Sequence, residues 1–324
     1  MGGAGFGDLA VERLRRDTDL DRIGTLLNWG PLAYRLDKLC RKDEGRPPFP
    51  PLLMFKALLL AQWYRLSDRG LEEALCDRLS FRRFVGLKVE DATPDHSTLC
   101  RFRDRLTAAG LCEKLLGLVN AQIEAKGLML KRGTLIDASV IEAAAAMPGA
   151  DTAGRPRADA DAAFLKRAGK TGLTYGYKAH IAADQDTIFV REARLTPANV
   201  AETVVADELI LATRDGGAVY ADKAYDTHAR RALLAELGRT DGILHRPNKH
   251  HALTPAQTQR NTLLSKVRSR IETVFAVLKR VYGYRRTRYF GLVRNQLQLT
   301  LLAICFNLRR MLVLSGPARI PSSA

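Results

Sequence analysis

The hydrophobic period of this chain changes once, near residue 130, and that change limits what it can fold into. Before it, apolar residues recur at helical spacing: Leu71, Leu75 and Leu79 in LSDRGLEEALCDRL, then Leu99, Phe102 and Leu106. Side chains so spaced share one helix face. After it come GTLIDASVIEA, a β-branched run interrupted by one Asp, and YGYKAHIAAD and TIFVREARL, two strands joined by an Asp-rich turn. The order beyond residue 130 reads β-β-β-α-β-α-β-α-α, with helices at about 201–214, 227–238, 256–281 and 291–313. Such an order predicts an α/β domain, a mixed sheet with flanking helices, preceded by an all-helical N-terminal domain. The expected division is 1–127, 128–313 and a tail, 314–324.

Local signals sharpen this outline. Pro47, Pro48, Pro50 and Pro51 punctuate the start of PLLMFKALLLAQWYRL, and proline suits a first helical turn because its missing N–H has no partner there. Ser67 or Asp68 can cap one helix of about 67–86. Thr93 as N-cap, Pro94 at the first position and Asp95 in the first turn open the next, and a helix of about 108–126 ends at Gly127. Residues 143–172, rich in Ala, Gly, Asp and Lys/Arg, lack the apolar content to pack and are expected to form a mobile loop.

Charge bears on partners. Lys and Arg number 51 against 35 Asp and Glu, a net charge of +16, which attracts nucleic acid first and anionic membrane second. Five cysteines with no CxxC pair exclude a zinc ribbon and a disulfide framework, and fit reduced, intracellular thiols. The amino terminus lacks the apolar run of a signal peptide, and Phe6 breaks the myristoylation pattern. The most apolar stretch, Leu297 to Leu308, is shorter than a membrane span. These features predict a cytoplasmic, nucleoid-associated protein without a membrane partner.

Three acids are placed where chemistry can use them. Asp137 interrupts the strand TLIDA, and Asp222 ends the strand AVYAD. A carboxylate in an apolar strand is costly unless it is paired or binds a metal. On an unbroken helix at about 100° per residue, Arg268, Glu272 and Lys279 share a face beside the apolar stripe Ile271, Val274, Phe275 and Leu278. Glu272 then sits at the edge of the surface packed on the sheet, within reach of the strand carboxylates. Two metals about 3.5–4 Å apart between such acids stabilise both the attacking and the leaving oxygen of a phosphodiester. Taken singly, each Asp also reads as a strand-end cap and Glu272 as an i,i+4 salt-bridge partner of Arg268.

The basic residues cluster too. From Lys266 to Arg294 there are nine Lys/Arg and one acid. Arg280, Arg285, Arg286 and Arg288 alternate with Tyr282, Tyr284, Tyr289 and Phe290, a pattern for neutralising phosphates, with the aromatics either stacking on bases or tucked into the core. Arg268 and Lys279 are placed to hold phosphates near the metals. Lys178 and His180 share a strand face that either points to the same site or is plain exposed surface. Ser97, Thr98, Arg101 and Arg105 read as the DNA side of a helix-turn-helix-like unit or as part of a dimerising bundle. His245, His250 and His251 have no metal-ligand spacing.

Together these segments resemble the DDE transposases of the insertion-sequence-five type over nearly the whole chain. PPLLMFKALLLAQW and TPDHSTLCRFRDRL resemble that family's amino-terminal domain; GTLIDASVIEA, YADKAYD and RSRIETVFAVLKR resemble the segments carrying its three acids. The resemblance implies a ribonuclease-H-like fold with Asp137, Asp222 and Glu272 as catalytic and metal-binding triad. It implies two Mg²⁺ (or Mn²⁺) ions, double-stranded DNA (transposon ends and target) as substrate, and a homodimer or higher oligomer. Two positions depart from the family pattern. Ser265 stands where a Tyr often precedes the Arg-Glu-Lys set, and Ala201-Glu202 follows TPANV where His-Asp is common, so Glu202 is given no role. A metal-dependent nuclease without strand transfer and a catalytically silent DNA-binding regulator are the rival readings.

Overall fold

The computed structural model describes residues 18–39, 49–145, 159–166, 172–213, 216–247 and 252–316. Among the described residues, seven α-helices come first: α1 (Asp19–Leu26), α2 (Gly30–Leu36), α3 (Pro51–Trp63), α4 (Asp68–Asp77), α5 (Leu79–Val85), α6 (His96–Ala108) and α7 (Cys112–Ala125). Pro51 occupies the first turn of α3, whose buried residues surround its axis, as befits a central helix. Ser67 caps α4 by accepting from the Gly70 N–H. The helix expected over 67–86 is two, because Arg78 is extended; the buried Arg82 guanidinium then binds the carbonyls of Leu75, Val89 and Asp91 around the break. The α6 cap is Asp95 and not Thr93, since the Asp95 carboxylate takes the Thr98 N–H at 2.6 Å.

The sheet contains β1 (Gly133–Glu142), β2 (Ala163–Lys166), β3 (Leu173–Asp184), β4 (Val190–Pro197), β5 (Ala218–Ala221) and β6 (Asp241–Ile243). Its order is β2-β3-β1-β5-β6, with β4 also on β3. β3 runs antiparallel to β1, β2 and β4, while β1, β5 and β6 are parallel. Helices α8 (Glu202–Ala212) and α9 (His228–Glu236) link β4 to β5 and β5 to β6. This is the mixed sheet with flanking helices that the element order predicts. Gly176 is needed where β3 closes on the end of β1: a Cβ there would fall 2.1 Å from the Ile141 carbonyl oxygen.

β2 corrects the expected loop. Within 143–172, residues 159–166 pack onto the sheet edge, anchored by buried Asp159, which accepts from the Tyr177 hydroxyl at 2.6 Å and the Gly291 N–H at 3.1 Å. Residues 146–158 and 167–171 lie outside the described residues. The helix expected over 256–281 is also divided, into α10 (Pro255–Arg268), α11 (Ile271–Ala276) and a π turn (Val277–Val281). At the joint, the N–H groups of Glu272 and Thr273 bond three residues back, to Ser269 and Arg270.

The last helix, α12 (Leu292–Leu314), packs against α3, α7 and β4, and one apolar core runs from the amino-terminal helices through it to β1, β3 and β4. Asn307 ties these layers together: its amide oxygen accepts from the Val190 N–H, and its NH₂ group donates to Asn120 on α7. By length and composition α12 is enough to cross a membrane, yet 78% of its apolar window is buried in protein, so it is a core helix. A second core, including Ile136, Ala182, Leu209, Val219, Tyr225 and Leu234, lies under α8 and α9 on the opposite face.

Candidate active site

Strands β1 and β5 make their last pair at Leu135 and Tyr220. Two residues further on each stand Asp137 and Asp222, so the carboxylates leave neighbouring parallel strands at one level, where β5 ends and β1 continues. Asp137 is mostly buried and its Oδ1 accepts from the Ala138 N–H at 2.8 Å. Asp222 caps a short 3₁₀ turn, taking the Ala224 N–H at 2.8 Å.

Glu272, in the first turn of α11, is 64% exposed. It is joined to one strand acid, Asp137, through Arg268, which donates to Asp137 Oδ2 at 3.1 Å and to Glu272 Oε1 at 3.2 Å. Burial pushes the Asp137 carboxyl up to about 6. The Ala138 N–H and Arg268 oppose that rise, and the charges of Asp222 and Glu202 add to it. Lys279, on the π turn, reaches further along β1 to the Ser139 hydroxyl and, at 3.2 Å, the Val140 carbonyl. Asp137 and Ser139 share a strand face, and Arg268 and Lys279 lie along it.

Lys178 and His180 belong to the other face. Lys178 is buried, donating to the Val200 carbonyl at 2.8 Å with Glu202 at 3.7 Å. His180 is buried with Nε2 2.9 Å from the Thr196 hydroxyl, and burial, with Lys178, brings its pKa down to about 4. Their expected contact with DNA is therefore corrected, because α8 covers the strand face that carries them. Glu202, to which the sequence reading gives no role, opens α8 beside Lys178.

Arg280, Arg285 and Arg286 are exposed, with Arg286 3.3 Å from Glu142. Arg288 is corrected as a DNA contact: it binds the Leu66 carbonyl at 2.7 Å and holds its loop to α3. Tyr282 and Tyr284 are buried in the core, and Tyr289 lies under the Arg103 guanidinium. Arg101 and Arg105 are exposed on α6, while the Ser97 hydroxyl and Thr98 N–H serve the Asp95 cap. His245 contacts Arg231; His250 and His251 lie outside the described residues.

A mixed sheet that sets two carboxylates at one level on adjacent strands, beside a helix that brings Arg268 to one of them, is an arrangement suited to phosphoryl transfer on a polyanion. Comparison with known proteins names the family. The model of the transposase DDE domain matches residues 129–308, more than half of the chain, and a second transposase domain (DUF772) matches residues 9–105. The chain belongs to the DDE transposase family, of insertion-sequence type. It is an enzyme of DNA cleavage and strand transfer, and that family uses divalent metal ions.

Among solved structures, the piggyBac transposase synaptic complex with hairpin DNA overlaps at 11% identity and TM-score 0.49, over 93% of this chain and 76% of that one. The Mos1 transposase paired-end complex with left transposon end overlaps at 12% and 0.22, over 78% and 83%. Overlaps this loose carry no residue roles. Among the described residues, no three His, Cys, Asp or Glu side chains are drawn together as a metal ligand set. The donors still suit a hard cation: they are carboxylate oxygens, and Asp222 and Glu202 both work against ionisation of Asp137.

Proposed function

We propose that Asp137, Asp222 and Glu272 are the catalytic triad, holding two Mg²⁺ (or Mn²⁺) ions for cleavage at transposon ends and transfer to target DNA. The observation that carries this is the level placement of Asp137 and Asp222 on adjacent strands, with Glu272 joined to Asp137 through Arg268. Ions held there would supply Lewis acidity at the scissile phosphodiester and lower the pKa of a nucleophilic water or 3′-hydroxyl. Arg268 and Lys279 hold the flanking phosphates over β1. Exposed Arg280, Arg285, Arg286, Arg101 and Arg105 bind duplex further out, and Arg268 bridges Asp137 and Glu272 and offsets their charge before DNA arrives. The motifs favour the insertion-sequence-five type, residues 1–127 as a DNA-binding or dimerisation domain, residues 128–313 as the catalytic one, a homodimer or larger assembly bridging two ends, and work on the chromosome in the cytoplasm.

The test is to incubate the chain with DNA from either side of its gene, where matched inverted repeats should lie, in Mg²⁺. Ends cut to 3′-hydroxyls and joined to a second duplex are expected. Cutting without joining would make it a nuclease, and binding without cutting a regulator.

A further inference from the structure

Glu202 opens α8 and comes to the acid pair from the face opposite Arg268. Burial raises its proton affinity; Lys178 opposes that and Asp222 adds to it. Its charge is also felt at Asp137. Lys178 does not exhaust this carboxylate, since its short hydrogen bond goes to the Val200 carbonyl and Glu202 stands beyond hydrogen-bond range at 3.7 Å.

Tyr225 supplies an independent observation. It is 1% exposed, and its hydroxyl has no hydrogen-bond partner among the described residues. Arg230 binds the carbonyls of both Tyr225 and Thr203, the neighbour of Glu202, so Tyr225 lies beside the start of α8, and after burial its hydroxyl feels the charges of Glu202, Asp137 and Asp222. A buried hydroxyl left unbonded is costly, and its presence points to something that completes the bond.

We propose that Glu202 is a fourth carboxylate of the cation site, facing from the α8 side the ion held by Asp137 and Asp222, with the Tyr225 hydroxyl bonding to this carboxylate or to the ion's water. The inference rests on Asp137 and Asp222 being ion ligands. It makes the site a junction of both sheet faces, with Lys178 as a built-in counter-charge to the additional acid.

Mn²⁺ alone, titrated into the full chain and followed by the paramagnetic resonance signal of the free ion, tests this without turnover. Glu202→Gln should weaken Mn²⁺ binding by about tenfold or more, the usual scale for an outer partner of a metal site. If Glu202 serves only to neutralise Lys178, the pair Lys178→Met/Glu202→Gln should bind Mn²⁺ as wild type does. We expect the pair to stay weak, and because it removes both members of a partly buried ion pair it also guards against misfolding of the single variant. Tyr225→Phe loses an oxygen that has no bond to lose in the ion-free protein, and should weaken binding by about a few-fold. Wild-type affinity in all three, with Asp222→Asn still weakened, overturns the role of Glu202 alone. Wild-type affinity in Asp222→Asn as well overturns the triad, and this proposal with it.

Discussion

The two faces of the central sheet both bring basic side chains to β1 and β3, and they treat them differently. On one face Arg268 and Lys279 arrive from a helix and a π turn at the rim, so Arg268 keeps 20% of its side chain exposed. On the other, Lys178 and His180 rise from β3 itself, and α8 closes over them until Lys178 is 7% exposed. Basic side chains are thus partly open when delivered by a neighbouring helix and sealed when they stand under a crossover helix. Strand alternation tells which residues share a face, but only the crossover decides whether that face sees solvent.

The largest effect should come where the open face meets the strand ends. Asp137→Ala, Asp222→Ala and Glu272→Ala should each abolish cleavage in Mg²⁺ while leaving binding to end DNA within about a few-fold, since phosphate contacts elsewhere carry affinity. Glu272 is the sharpest case because it is the most exposed of the three. A near wild-type cutting rate in Glu272→Ala would remove it from the triad and leave Glu202 as the third acid to examine.

Next in size are the two rim cations. Arg268→Ala and Lys279→Ala should lower cleavage and joining by about tenfold, corresponding to a contact worth about 1.4 kcal/mol. Arg268 touches two of the acids, so its removal can also act by a second route, through metal binding. Activity measured across a Mn²⁺ titration separates the routes: full recovery of Arg268→Ala at high Mn²⁺ sinks its role as a phosphate clamp. Lys279 touches Ser139 and the Val140 carbonyl, so no recovery is expected there.

Much of this architecture was legible because it rests on periodicity and punctuation. The hairpin β3–β4, the strand ending in Asp222 and the helix ending at Gly127 follow from alternation, an Asp-rich turn and a glycine at φ +68°. What escaped depends on long-range partners. β2 is only four residues long, and the segment before it is held by Asp159 binding Tyr177 and Gly291, more than a hundred residues downstream in the latter case. The joint between α10 and α11 carries no proline or glycine, and the division of α4 from α5 turns on one extended Arg. The candidate acids were visible as carboxylates at strand ends. Glu202 was not, because its meaning depends on a fold that sets a helix start beside two strands.

Smaller still should be the effect of the outer arginines. Replacing Arg280, Arg285 or Arg286 singly by Ala should weaken end binding by about a few-fold. The slope of log K against log salt should fall by about 0.9 for each phosphate that is no longer neutralised. Arg288→Ala should leave that slope unchanged and lower the melting temperature, because its guanidinium is spent on the Leu66 carbonyl. Equal slopes in all four variants would erase the distinction between open and closed cations in this segment.

On the closed face the expected effect on DNA is nil, and the signature is in stability. His180 is held neutral in the fold with a pKa of about 4, against about 6.5 unfolded, so the unfolded chain binds the extra proton first as pH falls. The fold should therefore lose stability between about pH 6.5 and pH 4, by about 3 kcal/mol from this residue at about 1.4 kcal/mol per pH unit. His180→Gln keeps a polar group near the Thr196 hydroxyl but cannot titrate, so its stability should fall less steeply over that interval, whatever its value at pH 7. Urea unfolding at several pH values reads the difference in slope, and salt-dependent DNA binding at neutral pH reads the other half of the claim. Parallel stability slopes would mean that His180 opens to solvent on the way to pH 4. A loss of DNA affinity with a reduced salt slope would mean that α8 lifts from this face on DNA, and the contrast between the two faces would then belong to the free protein alone.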